Sequence, residues 1–130
     1  MFSIEVDFAP NPAKQKRGLE LLLDRGDKAC ALVAEESGRV VGMVTAQVLV
    51  STAEGSEVAI IEDLVVAEAV RGRGIGRQLL GAIELWCFHR GLTRMQLLAD
   101  RHNTPALEFY RRQGWAETQL VAWRKYSGRT

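Results

Sequence analysis

The chain has 130 residues, of which 47% are hydrophobic and 25% are charged, so it can form one compact domain with a buried core and has no room for a second domain. A formal net charge of +1 excludes a general attraction to nucleic acid or to anionic membranes, so any affinity for anions has to be local. The N-terminus lacks the features of a secretion signal and no apolar run is long enough to span a bilayer, which together predict a cytoplasmic protein.

The N-terminal stretch predicts a strand followed by a helix. Residues 2–8 alternate apolar and polar side chains, with the period of two that is typical of a half-buried strand. After two prolines the spacing becomes helical, and Leu19, Leu22 and Leu23 fall on one face. We expect Gly26 to end this helix.

Three β-rich segments follow and predict an antiparallel meander. Residues 28–35 and 39–50 flank a Ser-Gly pair, which suits a tight hairpin turn. Residues 51–56 are small and polar and predict a second turn. This turn leads into a third strand at residues 57–66.

A glycine-rich turn with two arginines connects the third strand to a helix. The turn consists of Arg71, Gly72, Arg73, Gly74, Ile75 and Gly76. The first turn of a helix has unpaired N–H groups and the positive end of a dipole, and glycines let an oxyanion approach those groups closely. The turn therefore predicts a phosphate site, and its two arginines favour a diphosphate over a carboxylate. The alternative is a plain glycine turn with solvated arginines.

The C-terminal third predicts a strand, a helix and a last strand. Residues 94–100 form a short apolar segment, and because a helix precedes it we expect it to run parallel to the strand at residues 57–66. Asn103 is a helix-cap candidate just before a proline, and Gly114 ends the helix. Residues 115–126 alternate in polarity and predict a final strand.

The cysteines and histidines do not suggest a metal site. Cys30 and Cys87 are far apart, form no CxxC pair and lack the spacing of zinc ligands, so we interpret them as buried thiols in a reducing compartment. His89 is expected at a helix end and His102 in a loop, both at the surface. We predict that no metal is needed.

Two nucleotide-binding motifs do not fit the glycine turn. The third glycine of the Rossmann fingerprint would fall at Arg77, and no Gly-Lys-Ser/Thr follows as in a phosphate-binding loop. The pattern Arg-x-x-Gly-x-Gly, combined with NTPALEFYRRQGW at residues 103–115, instead resembles the GNAT superfamily of N-acetyltransferases. The resemblance covers residues 40–125, about two thirds of the chain.

The resemblance implies a fold and one N-acetyltransferase domain over residues 1–130. The expected class is α/β (α+β), with a central mixed, mostly antiparallel sheet of about six strands flanked by helices. In that family a parallel strand pair splays apart to form the acetyl-CoA cleft. Here the pair would be the strands at residues 57–66 and 94–100.

The resemblance also implies which residues bind acetyl-CoA, the co-substrate. Its pyrophosphate would lie on the turn from Arg71 to Gly76, with Arg77 as the next backbone donor. Its pantetheine arm would pair with the backbone of the third strand in the way that a peptide adds to a sheet edge. The residues implied there are Leu64, Val65 and Val66, and Asn103 would contact the same arm.

Two groups are candidates for proton transfer. Tyr110 matches the family's tyrosine near the thioester sulfur and could protonate the leaving thiolate; the alternative is a core tyrosine beside Phe109. An alkylammonium with a pKa of ~10.4 has to lose a proton before it attacks, and the best-placed bases are Glu62 and Asp63. We favour Glu62, because simple alternation gives it the same strand parity as Leu64 and Val66.

The sequence therefore predicts direct transfer of an acetyl group to a primary amine of a small molecule. The next strand carries no glutamate such as relatives that acetylate protein N-termini often have, which disfavours a protein amine. Only one helix precedes the second strand, so the final strand of a second subunit could complete the acceptor pocket, and we expect a homodimer. The alternatives are a non-catalytic acyl-CoA-binding module and a nucleotide-binding protein that uses the same turn.

Overall fold

The structure is a computed structural model that describes residues 12–128. Its helices and strands, in chain order, are α1 (Pro12–Leu23), β1 (Ala29–Glu36), β2 (Arg39–Ser51), β3 (Ser56–Val66), α2 (Ile75–His89), β4 (Met95–Leu97) and α3 (Thr104–Arg112). Short 3-10 turns at Gly26–Lys28 and Glu68–Val70 precede β1 and the glycine-rich turn. The strand predicted at residues 2–8 lies outside the described residues. None of the described helices is long and apolar enough to cross a bilayer.

The described strands form one mixed sheet in the order β1-β2-β3-β4. The first three strands are antiparallel neighbours, and β4 runs parallel to β3. This confirms the predicted meander and the predicted crossover through α2. Within residues 12–128 the sheet has four strands instead of about six.

The final strand predicted at residues 115–126 is wrong, because this segment forms neither strand nor helix. Alternating polarity shows that a segment can form a strand, but a strand also needs a neighbouring edge whose N–H and C=O groups it can pair with. Here most apolar residues of the segment are exposed, Trp123 to 92%, and only Trp115 at its start packs against the core.

One face of the sheet packs against α2 and forms the core. Val44 and Ala46 of β2 lie in the same buried cluster as Ile75 and Leu79 of α2. Helix and sheet approach most closely at Gly42, where an added Cβ would lie 2.9 Å from the Leu79 Cδ1 atom. Any larger side chain there would push the helix off the sheet.

Helix α1 packs against β1 more loosely than its sequence predicts. Leu22 is buried, but Leu23 is 65% exposed, so the prediction that Leu23 shares the buried face is wrong. The cysteines are free thiols, as expected, with Cys87 buried and Cys30 half-buried. His89 and His102 are both exposed, which confirms their predicted surface positions.

Candidate functional site

Strands β3 and β4 separate at their carboxyl ends. They pair only from Ala59 with Met95 to Ile61 with Leu97. Strand β3 then continues to Val66, and over this stretch its described strand partner is β2 alone. The backbone of residues 64–66 therefore has one edge that faces an opening between two parallel strands. Such an edge can accept an extended ligand.

The glycine-rich turn follows β3 and lies at the same sheet edge as that opening. Gly72 and Gly74 have φ angles of 86° and 81°, a left-handed conformation that side chains with a Cβ rarely adopt. The Gln78 N–H donates to the Gly74 carbonyl at 3.0 Å as the first bond of α2, so the N–H groups of the preceding residues lie before the helical ladder. No side chain caps this helix start. The turn thus presents backbone donors and the positive end of the α2 dipole.

The arginines of the turn contact the protein as well as the solvent. The Arg71 Nε donates to the Val66 carbonyl oxygen at 3.1 Å, which ties the turn to the end of β3. Arg73 donates to the Glu36 carboxylate at 2.9 Å, in an ion pair whose two side chains are about half exposed. Such a pair is weak and exchanges readily in salt solution. The backbone donors are therefore the fixed part of this anion site, and Arg73 can turn towards a ligand.

Asn103 begins α3, as the sequence predicts. Its Oδ1 accepts a hydrogen bond from the Ala106 N–H at 3.3 Å, and its side chain is buried. The Asp100 carboxylate accepts the His102 N–H at 2.7 Å in the loop just before it. This loop leaves the carboxyl end of β4 and therefore lies on the sheet edge that carries the glycine-rich turn. The cap role of Asn103 is confirmed, and a contact to a ligand stays a prediction.

Tyr110 lies in the core, with only 4% of its surface exposed. Its ring contacts Phe109 edge to face at 5.5 Å between centroids and tilts against Trp115 at 6.3 Å. Burial raises the pKa of Tyr110 above its ordinary value. The phenol therefore stays protonated throughout the neutral range, so it can act as a hydrogen donor and not as a base. This environment fits both the predicted acid and the alternative of a core tyrosine.

A β-bulge interrupts β3 directly after Glu62 and includes Asp63. Thr45 of β2 pairs with Glu62 and Met43 pairs with Val65, so the pairing register shifts between them. Asp63 has a φ of 57°, a left-handed conformation that is uncommon for a non-glycine residue. The Thr45 Oγ1 lies 3.1 Å from the Asp63 Oδ2. Both carboxylates are exposed and lie next to the same side of β2.

The parity argument that favoured Glu62 is wrong, because the bulge resets the alternation. Leu64 and Val66 belong to the buried cluster against α2. Glu62 pairs with Thr45, which alternates with the core residue Val44, so Glu62 is on the opposite face of the sheet. Its candidacy as a base now depends on its place at the bulge. It no longer depends on sharing a face with the cofactor strand.

Two further polar residues, Thr45 and Gln47, belong to this face and were missed from the sequence. The Gln47 Nε2 lies 3.5 Å from the Glu62 Oε1, and its Oε1 accepts a hydrogen bond from Arg25 at 2.6 Å. Both residues interrupt the apolar run RVVGMVTAQVLV at positions two apart, which places them on one face of a strand. That spacing is the signal that could have identified them.

A separate cavity of about 300 Å³ lies between α2, β4 and the end of α3. Its lining includes Glu84 and Trp115, and the Trp115 Nε1 donates to the Glu84 carboxylate at 2.8 Å. None of the residues predicted to bind or react lines this cavity. The predicted binding residues of β3 and of the glycine-rich turn lie instead by the opening between β3 and β4, and the two predicted bases lie at the bulge, whereas Tyr110 lies in the core.

Comparison with known proteins gives a consistent picture. The family model described as Acetyltransferase (GNAT) family matches residues 1–115. An uncharacterized N-acetyltransferase of Methanocaldococcus jannaschii is 34% identical over 100 residues, which are 76% of this chain and 44% of that protein. The chain therefore spans less than half of that relative. The aminoglycoside N(6')-acetyltransferase type 1 of Salmonella typhimurium is 26% identical over 115 residues, which are 86% of this chain and 78% of the relative.

A solved structure extends this likeness to the fold. It is AAC(6')-Iy in complex with the bisubstrate analogue CoA-S-monomethyl-acetylneamine. The TM-score is 0.75 at 24% sequence identity, and the match covers 93% of this chain and 83% of that one. At this identity the likeness concerns the fold, a mixed sheet flanked by helices.

Proposed function

The chain belongs to the GNAT family of acetyltransferases, and from this membership we propose that it transfers the acetyl group of acetyl-CoA directly to a primary amine of a small molecule. The main observation behind the proposal is that two features lie together at the carboxyl ends of β3 and β4. These features are the opening between β3 and β4 and the glycine-rich turn that begins α2. The opening suits an extended arm and the turn suits a phosphate group, and coenzyme A contains both a pantetheine arm and a diphosphate.

Acetyl-CoA fits the residues that the chain presents there. Its diphosphate would lie on the backbone donors from Arg71 to Arg77, because Gly72 and Gly74 keep that surface clear and α2 directs its positive end towards it. Its arm would pair with the backbone of Leu64, Val65 and Val66 along the open edge of β3. Asn103, at the start of α3, would border the same arm.

The chemistry needs positioning above all, with help for two proton movements. The amine nitrogen forms an amide bond to the acetyl carbon while the thioester carbon-sulfur bond breaks. We assign proton removal from the amine to Glu62, with Asp63 as the alternative. We assign hydrogen donation to the leaving sulfur to Tyr110, which its raised pKa keeps protonated.

The acceptor is best assigned to the class of small-molecule amines. The Salmonella relative is named as an aminoglycoside acetyltransferase, which supports such an acceptor without identifying it. Two exposed carboxylates at the β3 bulge give the acceptor side an anionic character that suits an ammonium group. The absence of a metal and of nucleic-acid or membrane partners, and a cytoplasmic location, stay predictions.

We also propose that two copies of the chain assemble. Strand β4 is at the edge of the described sheet, and the segment at residues 115–126 has no regular structure, is unpaired with any described strand and is apolar at several exposed positions. The occupant that fits this edge is the same segment of a second chain. A light-scattering mass of two chains, lowered to one by Trp123→Asp, is the expected result. Val50→Asp, at another exposed apolar position, should leave the dimer intact.

The experiment that tests the activity measures release of the free CoA thiol from acetyl-CoA. We expect release that requires both the protein and an amine from a panel of aminosugars, polyamines and amino acids. Binding of CoA without release for any amine would favour the non-catalytic module. Displacement of CoA by ATP or NAD would favour a nucleotide-binding protein. A lysine-containing peptide in the same panel tests the alternative of a protein amine.

A further inference from the structure

The Thr45 hydroxyl meets the two acidic residues of the β3 bulge at different atoms, because it lies beside the side-chain carboxylate of Asp63 and beside the backbone carbonyl of Glu62. We propose that Thr45 is a positioning residue that fixes Asp63 as the structural anchor of the bulge, so that Glu62 is the carboxylate that meets the amine. The inference rests on the proposed acetyl transfer. It goes further because it adds a residue of another strand to the site and separates two neighbouring acids that the sequence leaves as alternatives.

Thr45 is a buried polar residue, and a buried hydroxyl is stable only if it forms hydrogen bonds. It is 1% exposed, and its Oγ1 lies 3.1 Å from the Asp63 Oδ2 and 3.1 Å from the Glu62 carbonyl oxygen. A hydroxyl has one proton to donate, and both of these oxygens compete for it. The hydroxyl therefore links the backbone before the bulged residue to the side chain of the bulged residue itself. Such a link spans the irregular peptide and holds its shape.

The contact between Thr45 and Asp63 offsets strain in the backbone of Asp63. Asp63 has a φ of 57°, and a non-glycine residue in the left-handed region costs about 1 kcal/mol or more. Aspartate tolerates this conformation better than most residues, because its short side chain can form local hydrogen bonds. Here it uses that ability towards Thr45 across the strand pair. The Asp63 Oδ2 is thereby engaged in holding the bulge.

Glu62 also has a polar neighbour on β2, the side chain of Gln47. The Arg25 guanidinium donates to the Gln47 Oε1 at 2.6 Å, which turns the Gln47 Nε2 towards the Glu62 Oε1 at 3.5 Å. The bulge that Thr45 stabilises is also what brings Glu62 and Asp63 to one side of β2. Loss of the Thr45 hydroxyl should thus displace the Glu62 carboxylate while the Glu62 side chain itself is unchanged.

Steady-state kinetics with the best amine separate the two roles. We expect Glu62→Gln to lower kcat by about a hundredfold, within the range for loss of a general base. In Asp63→Asn the amide oxygen can still accept a hydrogen bond from the Thr45 hydroxyl. We therefore expect the fold-decrease in kcat to be at least about tenfold smaller than in Glu62→Gln. A fall for Asp63→Asn that equals or exceeds the fall for Glu62→Gln would overturn the assignment.

The matched pair at Thr45 tests the positioning role. Thr45→Val keeps the shape and removes the hydroxyl, and we expect kcat to fall by about tenfold while KM for acetyl-CoA stays within about twofold. Thr45→Ser restores the hydroxyl and should recover most of kcat. Equal kcat values for valine and serine would overturn the proposal, as would a valine variant that acts only through KM for acetyl-CoA.

A stability cycle tests the link independently of activity. Asp63→Gly removes the carboxylate and keeps the left-handed backbone free of strain, so it is a clean partner for Thr45→Val. We expect Thr45→Val to lower the urea midpoint clearly in the native background and much less in the Asp63→Gly background. Equal shifts in both backgrounds would exclude the link. If no amine releases CoA, the proposed function fails while this cycle still decides whether Thr45 holds Asp63.

Discussion

Tyr110 shows how burial limits what a single side chain can do. Burial raises the pKa of Tyr110, so the phenol can share its proton with a departing sulfur but has little tendency to give it up in solution. We therefore predict that Tyr110→Phe lowers kcat by roughly a hundredfold, as expected for loss of a proton donor, with CoA affinity largely kept. Turnover and CoA titration on the same protein measure both quantities. Unchanged turnover would leave Tyr110 as a core residue that packs on Phe109.

The buried thiol of Cys87 should make the fold less stable at alkaline pH. Burial, with smaller contributions from Cys30 and Glu84, raises the pKa of its thiol to about 11, whereas an unfolded thiol titrates near ~8.5. Between these values the unfolded chain has lost a proton that the folded chain keeps, so the free energy of unfolding falls as pH rises. The slope from this group is about 1.4 kcal/mol per pH unit. Below this window its contribution is complete.

Urea unfolding across that alkaline window, compared with Cys87→Ala, isolates this term. The variant should lose stability less steeply with rising pH, even though truncation in the core lowers its stability at neutral pH. Tyr110 also has a raised pKa, and because both proteins keep this tyrosine its contribution cancels in the comparison. Parallel slopes for the two proteins would show that the Cys87 thiol does not contribute.

Residue roles divide into those visible in the sequence and those that depend on geometry. Asn103 could be predicted as a cap because caps are local, three residues from the N–H that they accept. The partnership of Thr45 with Asp63 could not, because it depends on a bulge that shifts the alternation between two strands. Counting parity along β3 therefore put Glu62 on the wrong face.

At the scale of elements, the glycine-rich turn can be tested against a glycine that shares its backbone but not its proposed ligand. Gly74 and Gly91 have φ angles of 81° and 70°, and an added Cβ meets only the Arg77 side chain at 3.5 Å in the first case and nothing within 4 Å in the second. Alanine at either position should cost about 1 kcal/mol of stability or slightly more. Only Gly74→Ala should weaken CoA binding, by roughly tenfold or more, because it disturbs donors to a diphosphate.

Calorimetric titration with CoA, alongside urea unfolding of both variants, measures these effects. Weakened binding in both variants would mean that the loss follows general destabilisation and not the turn. Unchanged binding in Gly74→Ala would remove the turn from the proposed cofactor site.

The packing of α2 on the sheet offers a second pair of glycines with opposite expectations. At Gly42 a Cβ would lie 2.9 Å from Leu79 and 3.1 Å from the Val65 carbonyl oxygen, so Gly42→Ala should destabilise the fold by about 1–3 kcal/mol. At Gly81, within the exposed side of α2, a Cβ meets nothing within 4 Å, and Gly81→Ala should stabilise the helix by about 0.5–1 kcal/mol. Thermal unfolding of the two variants checks both signs. A neutral Gly42→Ala would show that α2 can shift.

Elements with strong periodicity were predictable, and elements that depend on a partner were not. The helix α2 begins at the predicted glycine-rich turn and ends at His89, which was expected at a helix end, because both signals act locally. The predicted strand at residues 94–100 is only three residues long as β4, since its neighbour β3 turns away after Ile61. The segment at residues 115–126 has strand character but no described strand beside it.

At the scale of the whole molecule, the opening between β3 and β4, the glycine-rich turn and the start of α3 form the proposed cofactor site. The pocket for the amine is less well defined by the described residues of one chain. The chain belongs to the GNAT family, and the separation of β3 and β4 supports the proposed acetyl-CoA cleft. Only α1 precedes β1 among the described helices, and the apolar segment after α3 is exposed. The shape of the amine pocket can therefore depend on whether a second chain is bound. Loss of activity in the monomeric Trp123→Asp variant would connect them.

The central claim is that this edge holds acetyl-CoA so that its acetyl group passes directly to an amine. The most direct measurement follows an isotope-labelled acetyl group from acetyl-CoA by mass spectrometry in the presence of the protein and a small-molecule amine. We predict a labelled N-acetyl amine formed in equal amount with free CoA, with much slower formation by Glu62→Gln. CoA that binds tightly while the label stays on the thioester with every amine tested would contradict the account.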